Sequence, residues 1–426
     1  MKSRILRGVC LLLVCVVLCM AANFLAFMID TPDMRQNAWQ GCLMLGDQLG
    51  TPQTVGGFLS SQMDNYTSIL ILKTAAYTGE ESLLAKALGG LRVEMSPQEG
   101  QTDWAAFCSY GHGSESMTGA GFAYPRYWHG YTLPLRLALC VLDTANLQMA
   151  VYFVQLALLC LILFRMKARG IARLIPGFFL SVFLLMPFSM SICLQYMPVS
   201  MLMLVSCVLI LFFDEKMEKI APLAAWFAVL GILTNYLDLL TFPLVSLGFP
   251  LILLLALRME RGDSGKALFF LTAFCGCAWA LGYGGMWALK WVLNGMVFGW
   301  DAVLTVVSQI GLRTSSNGGE LSRVGVLMEN LNVILAKKSY LLLIGLCCLA
   351  TLAPAACAIK EKRGLHLDLR AFNLLLPAAA VCLWYIVMAN HSHDHTYFTF
   401  RNTLVMAFSG FAFLACALRA KRGGGA

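Results

Sequence analysis

The sequence predicts an all-α integral membrane protein, and three observations lead to this prediction. Of its 426 residues, 59% belong to the hydrophobic set and 13% are charged, whereas soluble proteins contain about 45–50% and about 25%. Apolar runs of about 20 residues, the length that crosses a bilayer, recur along the chain. Lysine and arginine are concentrated between those runs. A soluble protein and a disordered chain are both excluded, because disorder requires low hydrophobicity and high net charge.

Ten apolar runs meet or approach the length of a membrane-spanning helix. An eleventh apolar segment, residues 128–144, would invert the charge pattern of the following segments if it crossed fully, so we expect a short or re-entrant helix there. The prediction is a single polytopic domain, 1–426, with about 10–11 transmembrane helices. The ten runs lie near 5–29, 147–164, 174–191, 197–213, 220–235, 240–257, 267–292, 339–359, 371–389 and 403–418.

The positions of lysine and arginine predict the orientation. Six short segments hold 19 of the 31 Lys and Arg residues, and the positive-inside rule places such segments in the cytoplasm. Both termini are then cytoplasmic, the protein lies in the cell membrane, and the net charge gives no reason to expect a nucleic-acid partner. The six segments are 1–7, 165–173, 214–219, 258–266, 360–370 and 419–426.

This orientation leaves two large segments outside the cytoplasm. The first, 30–127, is too long for a simple connector, and loops of such length are usually functional. Within it, Tyr66 to Leu88 is expected to form one or two amphipathic helices on the membrane surface. The second outer loop is 293–338. We therefore expect an extracytoplasmic active site.

Four carboxylates are candidates for acid–base chemistry on this outer side. Asp30 and Asp33 follow the first apolar run directly, and Asp64 lies later in the first loop. Partial desolvation above a bilayer makes a carboxylate a better general base. Asp238 lies between two apolar runs, where an unpaired charge is costly, so a binding or structural partner is expected for it.

An aromatic and basic segment follows the first loop. Arg126, Tyr127, Trp128 and His129 are consecutive, and Arg136 lies on the next expected helix. Aromatic faces suit a sugar or a lipid headgroup, and arginine offers two parallel donors to a phosphate. The alternative is an ordinary interfacial belt, where Trp and Tyr are enriched.

Histidines are concentrated near the end of the chain. His391, His393 and His395 lie close to Asp394 and Arg401. In an extended segment alternate residues share one face, which would allow His391, His393 and His395 to hold a divalent metal, with Asp394 as a further possible ligand. The favoured interpretation is a phosphate or pyrophosphate site formed by imidazoles and Arg401, with no metal or other cofactor.

Together these features resemble the GT-C superfamily of multi-pass glycosyltransferases. The resemblance rests on the layout of the chain and on two local segments, Ile29 to Arg35 and Tyr124 to Arg136. It implies a sugar donor linked to polyprenyl phosphate, bound on the outer side of the membrane. It also implies that an acidic residue of the first outer loop is the catalytic base, which by position is Asp33, with Asp30 adjacent and Asp64 in reserve.

The expected function is therefore transfer of a sugar from this donor to a glycan, lipid or protein acceptor at the bilayer surface. The acceptor hydroxyl must lose its proton, and the charge of the departing phosphate must be met. A transporter or flippase of a lipid-linked sugar would need the phosphate site but no base. A polymerase or ligase of lipid-linked glycans would need a second substrate platform, for which 293–338 is a candidate. A purely structural membrane protein gives no reason for polar residues to gather on one side.

Overall fold

The computed structural model describes residues 2–46, 53–93, 121–316, 319–362 and 364–420. The regular structure of these residues is almost entirely helical. The α-helices are α1 (Lys2–Met28), α2 (Pro32–Gly46), α3 (Asn65–Ala76), α4 (Leu83–Gly89), α5 (Thr132–Leu139), α6 (Thr144–Ala168), α7 (Ile175–Leu184), α8 (Pro187–Ile192), α9 (Met197–Phe213), α10 (Ile220–Leu237), α11 (Leu244–Glu260), α12 (Gly265–Phe298), α13 (Trp300–Thr314), α14 (Arg323–Leu335), α15 (Lys338–Lys360), α16 (Leu376–Val387), α17 (Ala389–Asp394), α18 (Thr396–Thr399) and α19 (Thr403–Ala417).

Two short antiparallel ladders complete the regular structure of the described residues. The strand β1 (Arg92–Val93) pairs with β2 (Gly121–Phe122), and β3 (Leu365–Leu367) pairs with β4 (Leu418–Ala420). The two strands of the first ladder flank residues 94–120 of the predicted outer loop, which lie outside the described residues. The second ladder joins the segment before α16 to the end of α19.

Eight helical segments of the described chain are long and apolar enough to cross a membrane. This supports the all-α membrane class that the composition predicted. Each of the eight falls on one of the predicted apolar runs. They are Leu6–Met28, Thr144–Ala168, Met197–Met217, Ile220–Leu237, Gly265–Phe298, Lys338–Lys360, Leu369–Val387 and Thr396–Ala417.

The other two predicted runs do not form full-length spans. The run 174–191 is divided into α7 and α8 at Met186, whose φ of 62° is left-handed. Pro187 explains the break, because a proline disfavours helical geometry in the residue before it. The run 240–257 forms α11, which is 17 residues long and buried at every position except Glu260.

The predicted loop and short-helix regions take the following form. Residues 128–144 contain the eight-residue α5, which at 1.5 Å per residue is about 12 Å long and too short to cross a bilayer. Residues 66–88 form most of α3 and α4. Nine of the twelve residues of α3 are buried, so α3 is a packed helix and does not lie on a surface as expected.

Helices α10 and α12 pack with their backbones close together. A Cβ added at Gly231 would lie 2.1 Å from the carbonyl oxygen of Trp279, and one added at Gly282 would lie 2.2 Å from that of Ala228. Small residues at a crossing let two backbones approach, which is the main source of packing energy between helices in lipid. The pair therefore depends on glycine at both positions.

The two ends of the helix bundle differ in chemistry. At one end, here called the basic face, the segments 165–173, 214–219, 258–266 and 360–370 meet. The fully buried carboxylate of Asp214 accepts from Arg169 at 2.9 Å and also pairs with Arg261. At the other end, called the loop face, the segments 53–93, 121–143, 185–196, 238–243 and 388–402 meet together with α13 and α14.

Candidate functional site

A group of polar and aromatic side chains gathers at the loop face. We call Asp64, Tyr127, Arg313, His391, His395 and Tyr397 the polar cluster. Its members come from four separated parts of the chain: the turn before α3, the turn before α5, the end of α13, and the continuous segment that contains α17, His395 and α18.

Asp64 is the half-buried carboxylate of the cluster. It caps α3, with Oδ1 accepting from the backbone N–H of Thr67 at 2.8 Å. Its Oδ2 accepts from the Thr67 hydroxyl at 2.7 Å and from the Tyr397 hydroxyl at 3.2 Å. A carboxylate has about four lone-pair sites, so three donors leave it able to accept one more proton or hydrogen bond.

Arg313 is the half-buried cation of the cluster. Its Nη1 donates to the Tyr127 hydroxyl at 2.8 Å. Burial and the positive charge of Arg313 lower the pKa of His391 well below its ordinary value, and the same causes lower the pKa of His395. Both imidazoles are therefore neutral at pH 7, which leaves Arg313 as the positive charge that acts on both of them.

The segment that carries the histidines is helical, so the expected alternation of an extended segment is wrong. His391 and His395, four residues apart, have ring centroids 4.8 Å apart, as expected for i, i+4 neighbours on a helix. His393 points elsewhere, with Nδ1 at 2.8 Å from a carboxylate oxygen of Glu329. Within the described parts of the chain, no group of three or more His, Cys, Asp or Glu side chains could hold a metal ion.

One ring nitrogen of His391 is hydrogen-bonded, and the other is buried without a hydrogen-bond partner among the described residues. Its Nε2 is 2.8 Å from the carbonyl oxygen of Leu240, and because a carbonyl only accepts, Nε2 carries the proton. Nδ1 is then an acceptor, and it has no hydrogen-bond partner among the residues that the structure describes. Leu240 itself has a left-handed φ of 64°, which His391 helps to hold.

Arg401 lies below the polar cluster and is completely buried. Its Nε, Nη1 and Nη2 donate to the carbonyl oxygens of Leu185, Tyr397 and Ser60 at 3.3, 3.0 and 3.0 Å. The guanidinium carbon lies 4.4 Å from the centroid of the Tyr196 ring. Arg401 therefore ties three chain segments together below the cluster, and its donors point at backbone.

Asp238 is buried between α10 and α11 in a tight turn. Both of its carboxylate oxygens accept from the backbone N–H of Thr241, and Oδ1 also accepts from the Thr241 hydroxyl at 2.6 Å. Burial raises the pKa of Asp238 to about 6 despite these hydrogen bonds. The partner expected for this carboxylate is thus Thr241, which lies in the same turn.

The aromatic segment after the first loop is held firmly by backbone contacts. The indole N–H of Trp128 donates to the carbonyl oxygen of Met286 at 3.0 Å. His129 Nε2 donates to the Tyr124 carbonyl at 3.0 Å, while Nδ1 accepts from the Tyr131 hydroxyl at 2.9 Å. Burial lowers the pKa of His129 to about 3. Trp128 and His129 therefore position Tyr127, the member of the segment that reaches the polar cluster.

Arg126 lies at the edge of the same segment. It is half-buried, and its Nη1 donates to a side-chain oxygen of Gln309 on α13 at 3.1 Å. Its guanidinium carbon is 5.0 Å from the centroid of the Tyr124 ring. Arg126 thus joins α13 to the loop face beside Tyr127.

Asp30, Asp33 and Arg136 occupy a separate place at the end of α1. Asp30 pairs with Arg35 at 2.5 Å. Arg136 is buried; its Nε donates to the carbonyl oxygen of Ile29 at 3.1 Å, and burial lowers its pKa to about 10. Asp33 is exposed in the first turn of α2, and no contact among the described residues joins it to the polar cluster.

An apolar groove of about 340 Å³ begins near the polar cluster, although no member of the cluster lines it. Its wall residue Leu194 follows Cys193, whose Sγ lies 3.9 Å from the backbone carbonyl oxygen of Asp64. Near the cluster it is bounded by Tyr131, by Leu194 and Met197 on either side of Tyr196, and by Leu237 next to Asp238. From there it follows α6 and α9 toward the middle of the bundle. Its walls are Ile71, Tyr131, Pro134, Leu135, Leu147, Val151, Leu194, Met197, Pro198, Met201, Leu202, Val205 and Leu237.

Sequence reasoning did not select Arg313 or Tyr397, although both lie in segments it singled out. Arg313 was one cation among several in 293–338, and only its position in the last turn of an amphipathic helix distinguishes it. Lys290 was also passed over; it is buried and donates to the Leu88 carbonyl at 2.5 Å, at the end of α4.

No protein-family model, no curated protein and no solved structure matches this chain. The fold alone therefore defines the class, a helical protein with several helices suited to crossing a membrane.

Proposed function

We propose that the protein is a membrane glycosyltransferase that moves a sugar from a lipid-phosphate donor to a glycan, lipid or protein acceptor. One observation carries the proposal: the half-buried carboxylate of Asp64 and the half-buried Arg313 both act electrostatically on His395, and an apolar groove begins close to Asp64. The carboxylate would serve the acceptor hydroxyl, the arginine would serve the phosphate of the donor, and the groove would hold the lipid tail of the donor.

The reaction forms one bond and breaks another at the anomeric carbon. The acceptor oxygen attacks this carbon and gives its proton to a carboxylate, while the bond to the phosphate oxygen breaks and the electron pair leaves with the phosphate. Fixed positive charge and hydrogen-bond donors lower the energy of the developing phosphate charge. No step in this scheme requires an oxidant or a second co-reactant.

We assign the base to Asp64 in preference to Asp33 and Asp30. Asp64 lies in the cluster with Arg313, and the Tyr397 hydroxyl holds one of its oxygens. Arg313 and Tyr127 are assigned to the phosphate, because Arg313 is the cation that acts on both neutral histidines and arginine offers planar donors to phosphate oxygens.

The groove is assigned to the first isoprenyl units of the donor. Its lining is almost entirely apolar, and each buried CH₂ group contributes about 0.8 kcal/mol. A groove that runs from near the cluster toward the middle of the bundle admits the lipid from the bilayer and holds its phosphate at the loop face. We place this face outside the cytoplasm, since the opposite end carries the basic segments.

Transport of the lipid-linked sugar is the weaker candidate. A translocation route needs polar or charged side chains at membrane depth. The central helix α11 is buried along its length, and from Leu247 to Leu257 its side chains are apolar. Along this helix, an apolar stretch thus separates the loop face from the basic face.

The decisive experiment compares Asp64→Asn, Asp33→Asn and Asp143→Asn in purified protein reconstituted in lipid with radiolabelled polyprenyl-phosphate sugars. Asp143 is the matched control, because it caps α6 with the same geometry, accepting from the N–H of Asn146 at 2.7 Å, and asparagine also caps helices well. We expect Asp64→Asn to lose turnover by about 10²–10⁴-fold, with the other two variants near wild type. Loss in Asp33→Asn alone would move the base to α2, and full activity in all three would refute both Asp64 and Asp33 as the base.

A further inference from the structure

Helices α13 and α14 each present three distinct sides. At 100° per residue, Trp300, Leu304, Val307 and Gly311 form one stripe of α13, and these residues are exposed. Val303, Val306, Gln309 and Arg313 form a second stripe that faces the protein. Asp301, Thr305 and Ser308 lie on a third side, which is exposed and mostly polar, although the exposed Leu312 also lies there.

Helix α14 repeats this arrangement. Its apolar stripe is Val324, Met328, Leu331 and Leu335, with the same spacing as in α13; Leu331 is half-buried and the other three are exposed. Its protein-facing stripe consists of the buried Val326, Asn330, Val333 and Ile334. Its exposed polar stripe contains Glu329 and Asn332. A helix that meets protein, hydrocarbon and water on three sides has this pattern when it lies along a membrane surface.

The exposed apolar stripes are too large to be left in water. Leu304 is 65% exposed and Val324 is 67% exposed, and burying one such side chain is worth about 1.5–3 kcal/mol. The stripes also continue the exposed apolar surface of the neighbouring spans, through Met296 at the end of α12 and Leu342 at the start of α15. That surface belongs to helices long enough to face lipid, so lipid is the occupant that accounts for its continuation.

We propose that α13 and α14 lie in the membrane interface, with their apolar stripes in the acyl-chain boundary of the leaflet and their polar stripes in water. The segment 293–338, expected from sequence to be an outer loop, is in this view largely a pair of surface-seated helices. The protein-facing side of α13 then holds Gln309 against Arg126 at 3.1 Å and Arg313 against Tyr127 at 2.8 Å. Membrane contact on the apolar side of α13 therefore fixes the distance between the membrane and the polar cluster, which lies on the protein-facing side of α13. The proposal does not depend on the function proposed above.

The test places a fluorescent amino acid by amber suppression at Leu304, Val307, Val324 or Met328, and at Asp301, Ser308 or Asn332 as controls on the polar stripes. The full-length protein is reconstituted in phosphatidylcholine nanodiscs, and quenching by doxyl-labelled phosphatidylcholine is compared with quenching by iodide. We expect lipid quenching to exceed iodide quenching at the four apolar positions by at least about threefold, and the order to reverse at the three control positions.

Three results would overturn the proposal. Iodide quenching at the apolar positions would show that both stripes face water. Lipid quenching of equal strength at all seven positions would show helices immersed in hydrocarbon. Protection of the apolar positions from both quenchers would show that protein covers them, and loss of that protection on dilution would identify a second copy.

Discussion

Replacing Arg401 with methionine distinguishes a structural arginine from one that contacts a substrate phosphate. The sequence suggested a phosphate contact, whereas the structure directs all three donor nitrogens of Arg401 to the carbonyl oxygens of Ser60, Leu185 and Tyr397. Methionine keeps much of the side-chain volume and removes every donor. We therefore expect a loss of stability that does not depend on donor substrate.

The size of the loss follows from the three contacts. A hydrogen bond from a charged group contributes about 1.5–3 kcal/mol, and such contributions are not additive within one group. Disrupting a buried charged network typically costs about 3–5 kcal/mol. A loss of this size lowers the Tm of a chain of this length by about 5 °C.

The assay is thermal unfolding in lipid nanodiscs, followed by light scattering and intrinsic fluorescence at one scan rate. Arg313→Met is the matched control, because Arg313 is half-buried and its guanidinium donates to one side chain, Tyr127. Its Tm should stay within about 1 °C of wild type. If Arg401→Met kept the wild-type Tm and weakened donor binding, the structural role would be refuted and the phosphate role restored.

Three further predictions concern other parts of the molecule. Arg313→Ala should raise the apparent KM for the lipid-phosphate donor by about 10–100-fold, the equivalent of one charged hydrogen bond; an unchanged KM would remove Arg313 from the phosphate site. The pKa of Asp238 is raised to about 6 by burial, so this carboxylate contributes stability at pH 4 that is lost as the pH rises through 6. Asp238→Asn should therefore gain up to roughly 3 kcal/mol over wild type at pH 8, and a gain that does not grow between pH 4 and 8 would contradict this assignment. Gly282→Val should lower the Tm or prevent folding, because its Cβ would meet the Ala228 carbonyl at 2.2 Å, whereas Gly276→Val, where nothing lies within 4 Å, should be tolerated.

The helical class was predictable because hydropathy acts over a whole segment. A run of about 20 apolar residues has few other stable forms in lipid, and eight of the ten predicted runs became helices of spanning length. Apolar runs close to the minimum length of a membrane-spanning helix were less predictable. Pro187 divides one run, and the other ends after 17 residues, so local backbone rules override hydropathy there.

The candidate site was only partly predictable, since its contacts join distant parts of the chain. Tyr397 donates to Asp64 across 333 positions, and no local pattern shows that these residues meet. The sequence therefore ranked Asp33 above Asp64 by distance from the first span. The histidine segment shows a different limit. An extended backbone would place His391 and His393 on one face, whereas the helical backbone brings His391 and His395 together. The short sequence favours neither conformation strongly.

The burial of α11 constrains how the protein assembles. A helix buried on nearly every side has almost no surface left for lipid, so it reaches its final surroundings only when its neighbours have enclosed it. One of these neighbours is α19, which is synthesised long after α11 and all of the helices between them. During synthesis α11 must therefore rest against lipid or a chaperone, and we expect ribosome-bound chains that end before Thr403 to expose it to protease or crosslinker. The fold is therefore completed only after α19 has been translated.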